Sequence, residues 1–337
     1  MDYKELRNAA KEKFGGSCRV CPVCNGIACA GEVPGMGGVG TGAGFKNNFE
    51  ALAGYRINLR TVHNVSQPNL SCNILGLDLA MPILGAPIGG IAINMKGALS
   101  EGEFTKAIVT GCRQAGTIGM TGDGPKAEWY LDGINAIVAE DGYGIPIIKP
   151  RDTDKIIELA NKAADAGAKA FGIDIDAAAL VNMTNAGQPV GPKTKDELKY
   201  IKDNTKIPFI VKGIIMPDEA ELCAAAGVDA IVVSNHGGRA LDATPGTAEV
   251  LPHIAEHVKG RITILADGGI RSGVDVLKML ALGADAVLIG RPLAVGAVGG
   301  GAEGVAMVLA KLAGELRTAM LLTGTADVAA VSEDVIW

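Results

Sequence analysis

Aromatic side chains are scarce in this 337-residue chain, with six Phe, five Tyr and two Trp. A packed interior must therefore be built from Ala, Val, Ile and Leu. An excess of one charge is also missing: 31 basic and 37 acidic residues are mixed throughout, for a formal net charge of −6. That balance argues against nucleic acid or an anionic membrane as the main partner. The opening MDYKELRNAAKEKF lacks the apolar core of a secretory signal, so a cytoplasmic protein is expected. The most apolar late stretch, Leu293–Leu312, is interrupted by glycines and Glu303 and does not read as a membrane span.

What is plentiful is small and apolar: hydrophobic residues make up 48% and glycines number 47. Eight short apolar runs recur at Met81–Pro87, Thr117–Gly122, Gly144–Pro150, Ala170–Asp176, Ile207–Gly213, Ala230–His236, Ile262–Gly269 and Ala286–Pro292. They are apolar almost throughout, as strands covered on both faces are. Helical patterns lie between them, such as Asp154–Ala166 and Pro217–Ala226. Four strands are entered through related phrases, AGTI, AGAKA, AGVDA and LGADA, in which glycine closes a helix. Eight such units predict a (β/α)8 TIM barrel over residues 81–337, with an open doubly wound sheet as the alternative. Residues 1–80 read as a Cys/Gly-rich extension that closes or borders the barrel, with a helix over Asn47–Arg60 and then a short strand region.

Polar residues gather where these strands end. Asp176 ends the fourth, Lys212 the fifth, and Ser234, Asn235 and His236 the sixth; Asp267-Gly268-Gly269 and Gly290-Arg291 end the last two. A ring of buried charge is costly unless it is used, and this rim is where such barrels carry their active sites. Backbone N–H groups at Gly268, Gly269 and Gly290, with Arg271 or Arg291, can cradle a phosphate.

The segment Ser-Asn-His-Gly-Gly-Arg-Ala-Leu-Asp at 234–242, with IVKG at 210–213, LADGGIRSG at 265–273 and ALGADAVLIGRP at 281–292, closely resembles the FMN-dependent α-hydroxy-acid oxidising family. The similarity is traceable back to MPILGAP at 81–87. The resemblance implies FMN as cofactor, a small hydroxy acid as substrate and a homotetramer or larger assembly. It implies His236 as the base, Asp176 as its partner, Arg239 as the grip on the substrate carboxylate, and Lys212 beside the flavin's N1–C2=O edge. Asp267, Gly268, Gly269, Arg271, Gly290 and Arg291 would hold the ribityl phosphate. Pro87, Ile88, Gly89, Thr121, Ser234 and Gly237 would complete the cofactor contacts.

Departures from that pattern fall on the substrate side. The family's Gln-Leu-Tyr segment is replaced by Pro146-Ile147-Ile148-Lys149-Pro150. The place of the family's N-terminal tyrosine falls near Pro34–Met36, inside a glycine run; its second arginine is replaced by the neighbourhood of Asn182-Met183-Thr184, and its serine-rich segment by Thr121-Gly122-Asp123. These changes imply a substrate that is larger or less acidic than glycolate or lactate, with Lys149 as a compensating cation.

Cys18, Cys21, Cys24 and Cys29 stand within twelve residues. Their first three match the opening of a ferredoxin-type run, but the last gap is longer and no proline follows. An iron–sulfur cluster, a zinc ion or free thiols are the readings left open. The glycine run at 31–44 reads as a flexible flap over the barrel mouth. Two other functions stay in view: a non-redox isomerase of the type 2 isopentenyl diphosphate isomerase kind, and an FMN/thiol redox sensor.

Overall fold

In the computed structural model, residues 1–337 are described, except for the side chains of Val181 and Asn182. All eight apolar runs contain a strand: β1 (Ile83–Gly85), β2 (Met120–Thr121), β3 (Ile145–Ile148), β4 (Phe171–Asp174), β5 (Phe209–Ile214), β6 (Ala230–Val233), β7 (Thr263–Ala266) and β8 (Ala286–Ile289). From β2 to β8 each strand pairs in parallel with the next, and β8 pairs with β1. The remaining seam, between β1 and β2, is a single bridge from Gly85 to Gly119, so the ring is nearly closed. The expected helices appear at Thr153–Asp165 and Pro217–Ala225, within a residue of their sequence bounds.

Two apolar layers result. Inside the ring, Leu84, Met120, Ile147, Ile210, Val232 and Leu288 pack together. A larger layer between strands and helices is aliphatic apart from a few aromatics, as the composition requires. One aromatic pair matters there: Phe171 and Phe209, register partners on β4 and β5, stack with centroids 4.8 Å apart.

The first 80 residues do border the barrel. Helix α1 (Tyr3–Lys13), started by an Asp2–Glu5 capping box, buries Leu6 and Ala10 in the outer layer beside the long helix Arg291–Thr323. That long helix is apolar and long enough to cross a membrane by length and composition. Here 56% of its most apolar window is buried inside the protein, and the backbone departs from helical geometry at Gly300 and Gly301. The hairpin of Cys72–Ile74 and Leu77–Leu79 sends Ile74 and Leu79 into the inner layer. Helix α2 occupies Ala43–Gly54, which corrects the Asn47–Arg60 expectation. It begins four residues early because Gly42, with φ +71°, can turn the chain into it, and Tyr55 is already extended.

Replacing Phe209 with Ala should cost about 3–5 kcal/mol by emptying half of the stacked pair. The loss is expected in the midpoint of guanidinium unfolding, with the denaturant slope unchanged.

Candidate active site

The rim is assembled by two local distortions. At the end of β5 the register against β6 shifts between Lys212 and Ile214, and Gly213 takes φ +104°. A Cβ there would lie 2.5 Å from the Asp176 carboxyl carbon, so glycine lets the bulge and that carboxylate share the space. Lys212 is only 4% exposed. Its ammonium donates to Ser234 Oγ at 3.0 Å and stands 3.6 Å from Asp267. Burial pushes the lysine towards its neutral form, but Asp267, Asp176 and Asp174 outweigh that and hold its proton more tightly than usual.

After β6 the backbone turns left-handed at three successive residues, His236 (φ +58°), Gly237 (+62°) and Gly238 (+74°). Histidine adopts this conformation only where its surroundings enforce it. The His236 N–H donates to Ser234 Oγ at 3.0 Å. Asn235 Oδ1 accepts from the Gly238 N–H at 3.0 Å and from Asn48 of α2 at 2.7 Å. Gly238 is wedged against α2, where a Cβ would lie 2.2 Å from Phe45 N. The turn brings His236 Nδ1 to 2.8 Å from Asp176 Oδ1. Burial would raise the Asp176 carboxyl, yet His236 and Lys212 beside it hold it at about 2. With Nδ1 engaged, Nε2 remains to exchange a proton.

His236 and Lys212 face a cavity of about 260 Å³. Pro87–Gly89 form one wall, Asp267–Arg271 with Gly290 and Arg291 another, and Val33–Met36 cross the mouth. Three guanidiniums crowd near it. Arg239 donates to Gly35 O, Gly37 O and Asn94 Oδ1 at 2.6–2.9 Å. Arg291 donates to Met36 O, Gly37 O and Gly237 O and stacks 3.7 Å above Phe45. Among the described residues none of Arg239, Arg271 and Arg291 is ion-paired with a carboxylate. Burial, with Arg239 and Arg271 as like-charged neighbours, brings Arg291 down to about 9. Thr121 Oγ1, Asp267 Oδ1 and Arg271 Nη2 are also buried without a hydrogen-bond partner.

A family model described as FMN-dependent dehydrogenase matches residues 35–189 and 183–337. The chain belongs to the FMN-dependent dehydrogenase family. A 2-hydroxyacid oxidase of Dictyostelium discoideum is 34% identical over 324 residues, covering 86% of this chain and 81% of that protein. An L-lactate dehydrogenase of Caulobacter vibrioides is 49% identical over 140 residues, covering 42% of this chain and 37% of that protein. The solved structure of a mandelate oxidase with benzoyl-formic acid superposes with a TM-score of 0.80 at 29% identity, over 99% of this chain and 97% of that one. The cavity fits the family's cofactor: unpaired guanidiniums for a phosphate, orphaned polar atoms along the walls, and a buried cation at the far end.

Most residues expected at the site line this cavity, including His236, Lys212, Arg239, Lys149, Pro87, Ile88, Gly89 and the phosphate-loop residues. Thr121, Asp176 and Ser234 stand behind its wall, and Ser234 acts there by holding both Lys212 and His236. The glycine run does cover the mouth, but it is tied down by Arg239, by Arg291 and by Val39 N–H to Gly238 O. This corrects the expectation of a loose flap. The Asn182-Met183-Thr184 stretch falls partly on undescribed side chains; Met183 is buried and lines the cavity.

Two ion pairs escaped the sequence reading. Lys149 bonds Asp174, and buried Arg151 bonds Asp123. Their partners are 25 and 28 residues apart, beyond the reach of local periodicity. The visible signal was an Asp-x-Asp at 174–176 and a lysine and an arginine closing the β3 run. The ligand atoms of Asp174, Asp176 and His236 lie within 4.8 Å of one another, but Lys149 and Lys212 already supply positive charge there.

Asp176→Asn should lower kcat/KM by about 10²–10⁴ while FMN absorbance per chain stays unchanged. Asp176 is depressed below its ordinary value of 3.8, so its stabilising charge is present above that value and is lost as pH falls towards 2. Acid unfolding of the wild type is therefore expected to steepen in that window, and the Asn variant should lack the component.

Proposed function

We propose that this chain oxidises a 2-hydroxy acid to the 2-oxo acid, with FMN as the first electron acceptor and oxygen or another acceptor after it. The observation that carries the reading is the hydrogen-bonded His236–Asp176 pair, set beside a buried lysine in a cavity rich in unpaired guanidinium. Bound FMN would supply a two-electron acceptor, and Lys212 would be the buried cation held for it.

The protein's own part can be stated residue by residue. Arg239 has Nε and one Nη2 N–H uncommitted among the described residues, a pair suited to one carboxylate. His236 Nε2 removes a proton from the bound hydroxy acid, and Asp176 stabilises the imidazolium that forms. Lys212 favours negative charge developing on the side it faces. Val33–Met36, tied across the mouth, keep bulk water from the reacting atoms.

Substrate choice rests on Lys149. Its ammonium faces the cavity while bonded to Asp174, so it offers a second cation with a carboxylate at its back. Such a pair accepts a neutral hydrogen-bonding group on the substrate more readily than a second bare anion. This supports a substrate longer than glycolate. A cytoplasmic homotetramer or larger assembly belongs to the same reading.

Purified protein should be yellow, and its flavin should bleach anaerobically with one or more of mandelate, lactate and longer 2-hydroxy acids. No bleaching with any of them would defeat the reading without touching FMN binding. Arg239→Met should reduce kcat/KM for the active acid by about 10- to 150-fold, the equivalent of a charged hydrogen bond of about 1.5–3 kcal/mol.

A further inference from the structure

A second cavity, of about 780 Å³, lies between the Cys18–Cys29 segment, α1, α2 and the start of the helix Arg291–Thr323. Cys18, Cys21, Cys24 and Cys29 all line it. So do seven basic residues, Arg7, Lys11, Arg271 and Arg291 among them, while no carboxylate does among the described residues. Two of the seven are neutralised from outside, Arg19 by Glu32 and Lys311 by Glu315. Arg271 and Arg291 also face the phosphate end of the flavin cavity, so Lys4, Arg7 and Lys11 are the charge left over; it calls for an anionic occupant, and the thiols say what kind.

The segment is built to present sulfur rather than to bury it. Arg7 on α1 donates to Val20 O at 3.0 Å and Cys21 O at 2.7 Å. Arg271 donates to Cys24 O at 3.0 Å, and an Ala30–Gly38 bridge holds the far end. Val20 takes a left-handed φ of +45°, and its N–H approaches Cys18 Sγ at 3.4 Å. Hydrogen bonds to sulfur of this sort tune thiolate-bound clusters. Val20 and Cys18 anchor this turn by packing against the outer apolar layer, which leaves Cys21, Cys24 and Cys29 partly exposed beyond it.

We propose that Cys18, Cys21, Cys24 and Cys29 bind an iron–sulfur cluster. A single zinc ion fits less well, because Zn–S bonds of about 2.3 Å draw four sulfurs to about 3.8 Å of one another and would leave most of a cavity of about 780 Å³ unfilled. A cluster fills the space between them, carries net negative charge once four thiolates are bound, and meets the uncompensated cations. Assembly exchanges four thiol protons, released to solvent, for four iron–sulfur bonds. Met36, Arg271 and Arg291 line both cavities, so the cluster borders the phosphate end of the flavin site. The inference stands on this cavity and not on the identity of the substrate.

The test uses the full-length, FMN-loaded protein, purified without oxygen and reconstituted with sulfide and equal amounts of ferrous and ferric iron, so that the oxidised core forms without an added oxidant. Bound iron and acid-labile sulfide in equal amounts are expected, with visible absorbance outside the flavin bands and a paramagnetic signal after dithionite reduction. The double variant Cys21→Ser/Cys24→Ser should lose the iron and keep its FMN, while Cys72→Ser, outside the cavity, should keep both. Wild-type holoenzyme that binds no iron, or that takes up one zinc ion instead, would overturn the proposal. Iron retained in full by the double variant would overturn it equally.

Discussion

The site depends on keeping charge balanced in a place that water hardly reaches. At the strand ends three cations, Lys149, Arg151 and Lys212, face four carboxylates, Asp123, Asp174, Asp176 and Asp267. Lys149 takes Asp174, Arg151 takes Asp123 and Lys212 lies nearest Asp267, which leaves the Asp176 carboxylate facing His236 at 2.8 Å. Isolated buried charge is expensive, so each carboxylate at the strand ends has a cation or an imidazole within reach.

That balance explains why the backbone is distorted at two points. Lys212 and Asp176 must come close on adjacent strands, which requires the bulge at Gly213. His236 must reach Asp176 from the next strand over, which requires a left-handed turn braced by Ser234, Asn235 and α2. The cost of strain at His236, of order 1–3 kcal/mol, is offset by a hydrogen-bond network whose members are themselves buried. The barrel is rigid where the chemistry needs it and irregular only at its rim.

Much of this could be read in the chain. The eight apolar runs located every barrel strand, because strands covered on both faces leave no polar interruption to blur them. The rim residues were visible for the same reason: a charge at the end of an apolar run stands out. The start of α2 was misplaced because Gly42, which opens it, lies inside a glycine run that looks uniformly irregular. The Lys149–Asp174 and Arg151–Asp123 pairs were out of sight because they join separate strands. They occupy the side on which the chain departs from its relatives' pattern, so resemblance offered no guide to them either. The cysteine segment showed its four thiols in the sequence, but not the basic wall that faces them.

The hairpin at residues 72–79 plugs one end of the inner layer with Ile74 and Leu79, while the site cavity lies beneath the strap of residues 33–36 that Arg239 and Arg291 fasten in place. The guanidiniums that line the cavity therefore also hold its cover, so a substitution at either one alters the cavity's charge and its covering loop together.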